Sequence, residues 1–116
     1  MQITVRQTGG ALGLDRVTEV VDAVARRVDG GEVTAERTLD EAVATRLCEL
    51  VDRVAAVDEA AAVAAPTAVD AMDVEVAIGT GPEARAFRYS TAGAVPRVVA
   101  ELVRAVVATP FRDPPG

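Results

Sequence analysis

DRVTEVVDAVARRVDGGEVTAERTL, residues 15–39, admits two readings, and each builds a different architecture around it. Val17, Val20, Val21, Val24 and Val28 recur at helical spacing, with Asp15 placed to cap a helix. The same residues are β-branched, and such side chains pack best on a pleated sheet. Asp29-Gly30-Gly31 is a strong turn signal. Beyond it Val33, Ala35, Arg37 and Leu39 alternate with Glu32, Thr34, Glu36 and Thr38, which predicts a strand over 32–38. On periodicity alone, residues 16–28 stay open between helix and strand.

The flanking segments are clearer. Ile3 and Val5 alternate with Thr4 and Arg6, predicting a half-buried strand over 3–7. Gly9-Gly10 breaks it, and Gly13 extends the turn. Downstream, Thr38-Leu39-Asp40-Glu41 has the form of a capping box. The helix it introduces carries Val43, Leu47, Leu50, Val51, Val54 and Val57 on one stripe, with Glu49 and Arg53 paired outside. Cys48, between Leu47 and Leu50, reads as a small hydrophobe. The pattern fades through residues 60–65, and Pro66 ends it. Residues 72–78 and 84–90 alternate on either side of Gly79-Thr80-Gly81-Pro82 and predict an antiparallel hairpin, with Arg85 able to reach Glu75 or Asp73. Pro96 opens a last helix with Val95, Val98, Val99, Leu102 and Val106 on its apolar stripe. Thr109-Pro110 stops it. The expected architecture is α+β: a four-stranded antiparallel sheet with two amphipathic helices packed on one face, in the order β-β-α-β-β-α. A single domain spans 1–109, and 110–116 form a flexible tail.

Composition narrows the function. The 116 residues include no His, Lys, Asn or Trp, one Ser (Ser90) and one Cys (Cys48). Ser–His and Cys–His nucleophiles are therefore impossible, and so is a Cys/His zinc site. Carboxylates, Arg, Thr, Tyr89 and backbone groups remain, which suits binding better than turnover. No catalytic residue, metal or cofactor is expected. The net charge of −6, with arginines scattered among acids, argues against nucleic acid and against an anionic membrane surface. The start lacks a signal-peptide pattern and no apolar run is long enough to span a bilayer, so a cytoplasmic location is expected. Nothing indicates a homo-oligomer, although a Val-rich sheet leaves a homodimer interface open.

In this order of elements the chain resembles the emfourin family, protein inhibitors of the thermolysin-like metallopeptidase protealysin. The resemblance rests on Ile3-Thr4-Val5-Arg6, then Gly9-Gly10 with Gly13 and Arg16. It continues with Leu47, Leu50 and Val51, with Asp70 before Met72-Asp73-Val74-Glu75-Val76, and with Ala94-Val95-Pro96 and Leu102. It covers roughly residues 2–107. It implies a strand beginning soon after the glycine-rich turn, which tips 16–28 towards strand. Two departures stand out. The stretch from Arg16 to the first helix is longer than the family's. Val57, Ala64, Met72 and Val74 stand where aromatics are expected, so a target contact made by aromatics would differ here.

The resemblance implies a thermolysin-like metallopeptidase as partner, its active-site cleft blocked by a rigid loop. Two segments fit that role. One covers residues 8–14, where Gly9 and Gly10 make the turn and Leu12 and Leu14 are candidate apolar anchors. The other is the hairpin tip, with Thr80 and Glu83; a carboxylate from Glu83 or Asp15 could approach a catalytic zinc. The alternative is a non-catalytic interaction module with another partner. An enzyme working through Asp73 and Glu75 is disfavoured, because alternate carboxylates on a strand ordinarily mark a solvated face.

Overall fold

Residues 14–38 form three strands joined by two-residue turns. The computed structural model describes residues 2–9, 13–56, 72–79, 84–90 and 95–111. Strand β1 spans Gln2–Gly9, β2 Leu14–Val21, β3 Val24–Asp29 and β4 Glu32–Thr38. The helical-looking valine spacing has a simple origin. Val17 lies opposite Val28, and Val21 opposite Val24. The three-and-four rhythm is thus the trace of a hairpin folded about Asp22-Ala23, with both valine pairs on one face. Asp22 takes φ 53 there, a region that Asp tolerates better than most residues with a side chain. The next turn places Gly30 and Gly31 at φ 57 and 87, as the tight primed hairpin turns require. Val28 faces Val33 while Arg27 faces Ala35. Thr34 is therefore the extra residue of a β-bulge, which twists this edge strand and discourages further pairing.

Helix α1 (Glu41–Val54) follows, then β5 (Met72–Ile78), β6 (Arg85–Ser90), α2 (Arg97–Val107) and a 3-10 turn at Thr109–Phe111. All pairings are antiparallel, and the sheet has six strands in the order β4-β3-β2-β1-β5-β6. The expected four-stranded sheet of order β-β-α-β-β-α is therefore corrected. Four strands precede α1, because the ambiguous stretch contributes a whole hairpin.

The register assigns side chains to faces. Ile3 and Val5 of β1 align with Val20 and Thr18 on β2, and with Ile78 and Val76 on β5. Ala25, Phe87 and Tyr89 continue this face across β3 and β6. These residues are all buried and form one core with Leu47, Leu50 and Val54 of α1 and Val99, Leu102, Val103 and Val106 of α2. Apart from Ser90 at the end of β6, every buried strand residue lies on this face. Both helices cover it, and the opposite face is open.

Several local expectations change. Thr38 is held in the ladder opposite Val24, so it cannot cap α1. Asp40 occupies the cap position, without a side-chain cap bond. Cys48 is exposed, because it lies a hundred degrees around the helix from Leu47. Glu49 pairs with Arg46 at 3.7 Å, and Arg46 also reaches Glu101 on α2 at 3.8 Å. Glu75 is met by Arg88 at 3.5 Å. Arg85, which faces the helices, instead donates to the Ala55 carbonyl oxygen at the end of α1, at 2.6 Å. Phe111 packs on the core under the Arg27 guanidinium, 4.3 Å from ring centre to Cζ. Packing thus reaches two residues into the stretch expected as a tail; 112–116 lie outside the described residues, as do Val57 and 60–66. Among the described residues no helix is long and apolar enough to cross a membrane.

Candidate functional site

The β1–β2 turn leaves the sheet from its two central strands. Its ends are clamped by the last register pair, Gly9 opposite Leu14. Gly9 and Gly13 take φ 95 and 61. A Cβ on Gly13 would meet nothing within 4 Å, so backbone conformation, not space, favours glycine there. Leu14 is half-buried and shares the register face of Arg16, Thr18 and Val20, so its side chain belongs to the helix side. Gly10 and Leu12 lie outside the described residues.

This turn has a brace that periodicity does not reveal. The β3–β4 turn stands beside it, and the Gly30 N–H donates to the Asp15 carbonyl oxygen at 3.1 Å. Arg16 Nε meets Asp29 Oδ1 at 2.6 Å, and Thr34 Oγ1 donates to Asp29 Oδ2 at 2.6 Å. The hydrogen bond from Arg16, and then that from Thr34, hold the Asp29 carboxyl below the usual carboxylate range. The bulge at Thr34 thus turns a hydroxyl onto the carboxylate that anchors the neighbouring strand. Asp15 is exposed and points to the open face, with Arg6 Nε at 3.6 Å.

The second candidate segment lies elsewhere. Thr80 and Glu83 are outside the described residues, but their flanks are clear. Gly79 takes φ 80, and its N–H donates to the Gln2 carbonyl oxygen at 2.9 Å. Ile78 aligns with Ile3 at one end of β1, whereas Met72 aligns with Gly9 at the other. The two candidate loops are therefore at opposite ends of β1, about 20 Å apart. They cannot form one continuous contact. What adjoins the Gly9 turn is the Gly30-Gly31 turn, and the repeated double glycine was its sequence signal.

The open face carries the remaining polar chemistry. Asp73 and Glu75 are exposed there, and Glu75 is occupied by Arg88. Among the described residues no group of three or more His, Cys, Asp or Glu could hold a metal ion. Burial raises the Tyr89 phenol above its ordinary value, so it stays protonated beneath the helices. The face holds a shallow groove of about 370 Å³, lined by Thr4, Arg6, Val17, Glu75, Ala77 and Arg88 among others. No family model, curated protein or solved structure matches the chain.

Proposed function

We propose that this chain is a non-catalytic inhibitor of a thermolysin-like metallopeptidase, presenting the β1–β2 turn to the active-site cleft. The resemblance of its sequence to the emfourin family motivates the reading. The observation that carries it is the clamped turn: Gly9 opposite Leu14, on the two central strands, beside a second glycine turn tied to it by Gly30 and Asp15. An inhibitor loop must resist both cleavage and unfolding in a protease cleft. Closing it on paired strands lowers the ordering entropy lost on binding. The Arg16–Asp29–Thr34 network holds the base of the turn from one side. The absence of His from the sequence, and the scarcity of nucleophiles, support a binding role over a chemical one. A cytoplasmic setting belongs to the same proposal.

The test is inhibition of a thermolysin-like protease from the same organism, with the intact mass of the chain followed over hours. Saturable loss of protease activity with the chain uncut, abolished by Leu12→Asp or by Gly9→Val, is the expected result. Rapid cleavage, or undiminished protease activity at saturating chain, sinks the reading for that target. The alternative is an interaction module with a different partner. It is supported by the open sheet face, where Val21, Val24 and Val33 are exposed.

A further inference from the structure

The proposed inhibitory turn comprises seven residues, 8–14. A specific interface takes about 20–30 residues from each partner. A contact that holds a protease must therefore extend onto the surface beside that turn. At this end of the sheet the β3–β4 turn is fixed to it, through the Gly30 N–H and the Asp15 carbonyl oxygen at 3.1 Å.

The register gives the relative heights of the two turns. Strands β3 and β4 close at Asp29 opposite Glu32, and Asp29 aligns with Arg16. Pairing of β1 with β2 runs two residues further, to Gly9 opposite Leu14. The Gly30-Gly31 tip thus stands level with Asp15, one residue or about 3 Å short of the base of the first turn. Sideways, the middles of the two hairpins are two strand spacings apart, about 10 Å. The shape is a projecting loop with a recessed step on one side. Arg16, Asp29 and Thr34 hold that step from beneath, so it is ordered before any partner arrives.

The step is also bare. Gly30, Gly31 and Glu32 are exposed, and a Cβ on either glycine would meet nothing within 4 Å. At φ 57 and 87 the backbone needs residues that tolerate the left-handed region, but Asn-Gly meets that need as well as Gly-Gly. A glycine at position 30 leaves backbone that another molecule can approach closely. Asp29 is occupied by Arg16 and Thr34, so Glu32 is the carboxylate that the step turns outward.

We propose that Gly30, Gly31 and Glu32 form a second contact with the target protease, seated on the rim of the cleft that the β1–β2 turn enters. The proposal rests on the inhibitor reading and adds the part of the interface that the turn cannot supply. The projecting loop reaches into the cleft, and the step meets the lip beside it. Their fixed offset sets the angle at which the chain enters.

Inhibition constants of the full chain against a thermolysin-like protease from the same organism test this, with Gly30→Asn and Glu32→Arg. The first keeps the turn and adds a side chain at the close approach. The second enlarges and reverses the exposed charge. Each should weaken inhibition by about ten-fold or more, with circular dichroism and melting as in the wild type. Ala23→Arg, in the β2–β3 turn at the opposite end of the sheet, should leave inhibition unchanged. Inhibition that survives both substitutions in the step, yet is abolished by Leu12→Asp, would overturn the second contact and leave the first standing. An equal loss from Ala23→Arg would also overturn it, because the effect would then belong to charge or folding at large. A wild type that does not inhibit removes both contacts together, which distinguishes failure of the inhibitor reading from failure of the step.

Discussion

Arg27 and Val107 are eighty residues apart in sequence, yet Arg27 Nη2 donates to the Val107 carbonyl oxygen at 2.9 Å. The bond joins the middle of β3 to the C-terminal end of α2, where helix carbonyls lack intrahelical donors and the macrodipole is negative. Phe111 closes over the guanidinium from the other side. Burial lowers the Arg27 pKa, with the nearby Arg16 adding to the effect, yet the group remains charged at any ordinary pH. Arg85 does the same for α1 through Ala55. Each helix is thus capped by an arginine from a strand it covers.

Replacing Arg27 by Ala removes a charge-assisted hydrogen bond and the cation–π contact. The expected loss is about 2–3 kcal/mol, read as a lower urea midpoint. Phe111→Ala should cost less, since the hydrogen bond survives. Equal stability of Arg27→Ala and wild type would show that α2 is held by its apolar face alone.

Thr18 is fully buried beneath the helices, and its hydroxyl has no hydrogen-bond partner among the described residues. Thr18→Val keeps the shape and removes the unsatisfied polar atom. Stability should rise by about 1 kcal/mol, measured by urea unfolding. A fall would reveal a hydrogen bond through buried water.

At Gly13, where φ is 61, alanine meets no clash but must adopt the left-handed region. Gly13→Ala should therefore destabilise by about 1–2 kcal/mol. Gly13→Asn should recover part of that, because Asn tolerates this region. Thermal melts of the two variants distinguish backbone strain from loss of a contact.

Asp29 sets an acid dependence. Its folded pKa is depressed by Arg16 and Thr34, so its contribution is complete above the unfolded carboxylate value of about 4. That contribution is lost as the pH falls through the lower folded value. Urea unfolding of wild type and Asp29→Asn should therefore differ most near neutrality and converge in acid. A difference that is constant with pH would assign the role of Asp29 to packing.

The sequence was most legible where one periodicity acts alone. Residues 72–78 alternate strictly and form a strand with those bounds; residues 32–38 also form the expected strand, but the bulge at Thr34 breaks its alternation and puts Val33 on the open face and Ala35 and Arg37 on the helix face. Residues 16–28 were opaque because a hairpin with a two-residue turn brings Val17 to Val28 and Val21 to Val24, and such mirror spacing coincides with helical spacing. The turn residue, Asp22, carries no strong signal. The candidate loops were legible as breaks between strands, but their separation was not, since it depends on which strands pair. The Arg16–Asp29–Thr34 brace joins residues from three strands, so no local pattern announces it.

By itself the sequence determined the absence of a histidine-based nucleophile, the alternation of residues 72–78 and the position of the Gly30-Gly31 turn. Composition and local backbone preference act residue by residue and need no partner. Tertiary structure alone decided that the sheet has six strands, that the Gly9 end of β1 shares its end of the sheet with Gly30-Gly31 and not with Gly79, and that Asp29 gathers Arg16 and Thr34. Each of these follows from strand pairing, in which distant segments satisfy one another's backbone hydrogen bonds while the core admits a single register.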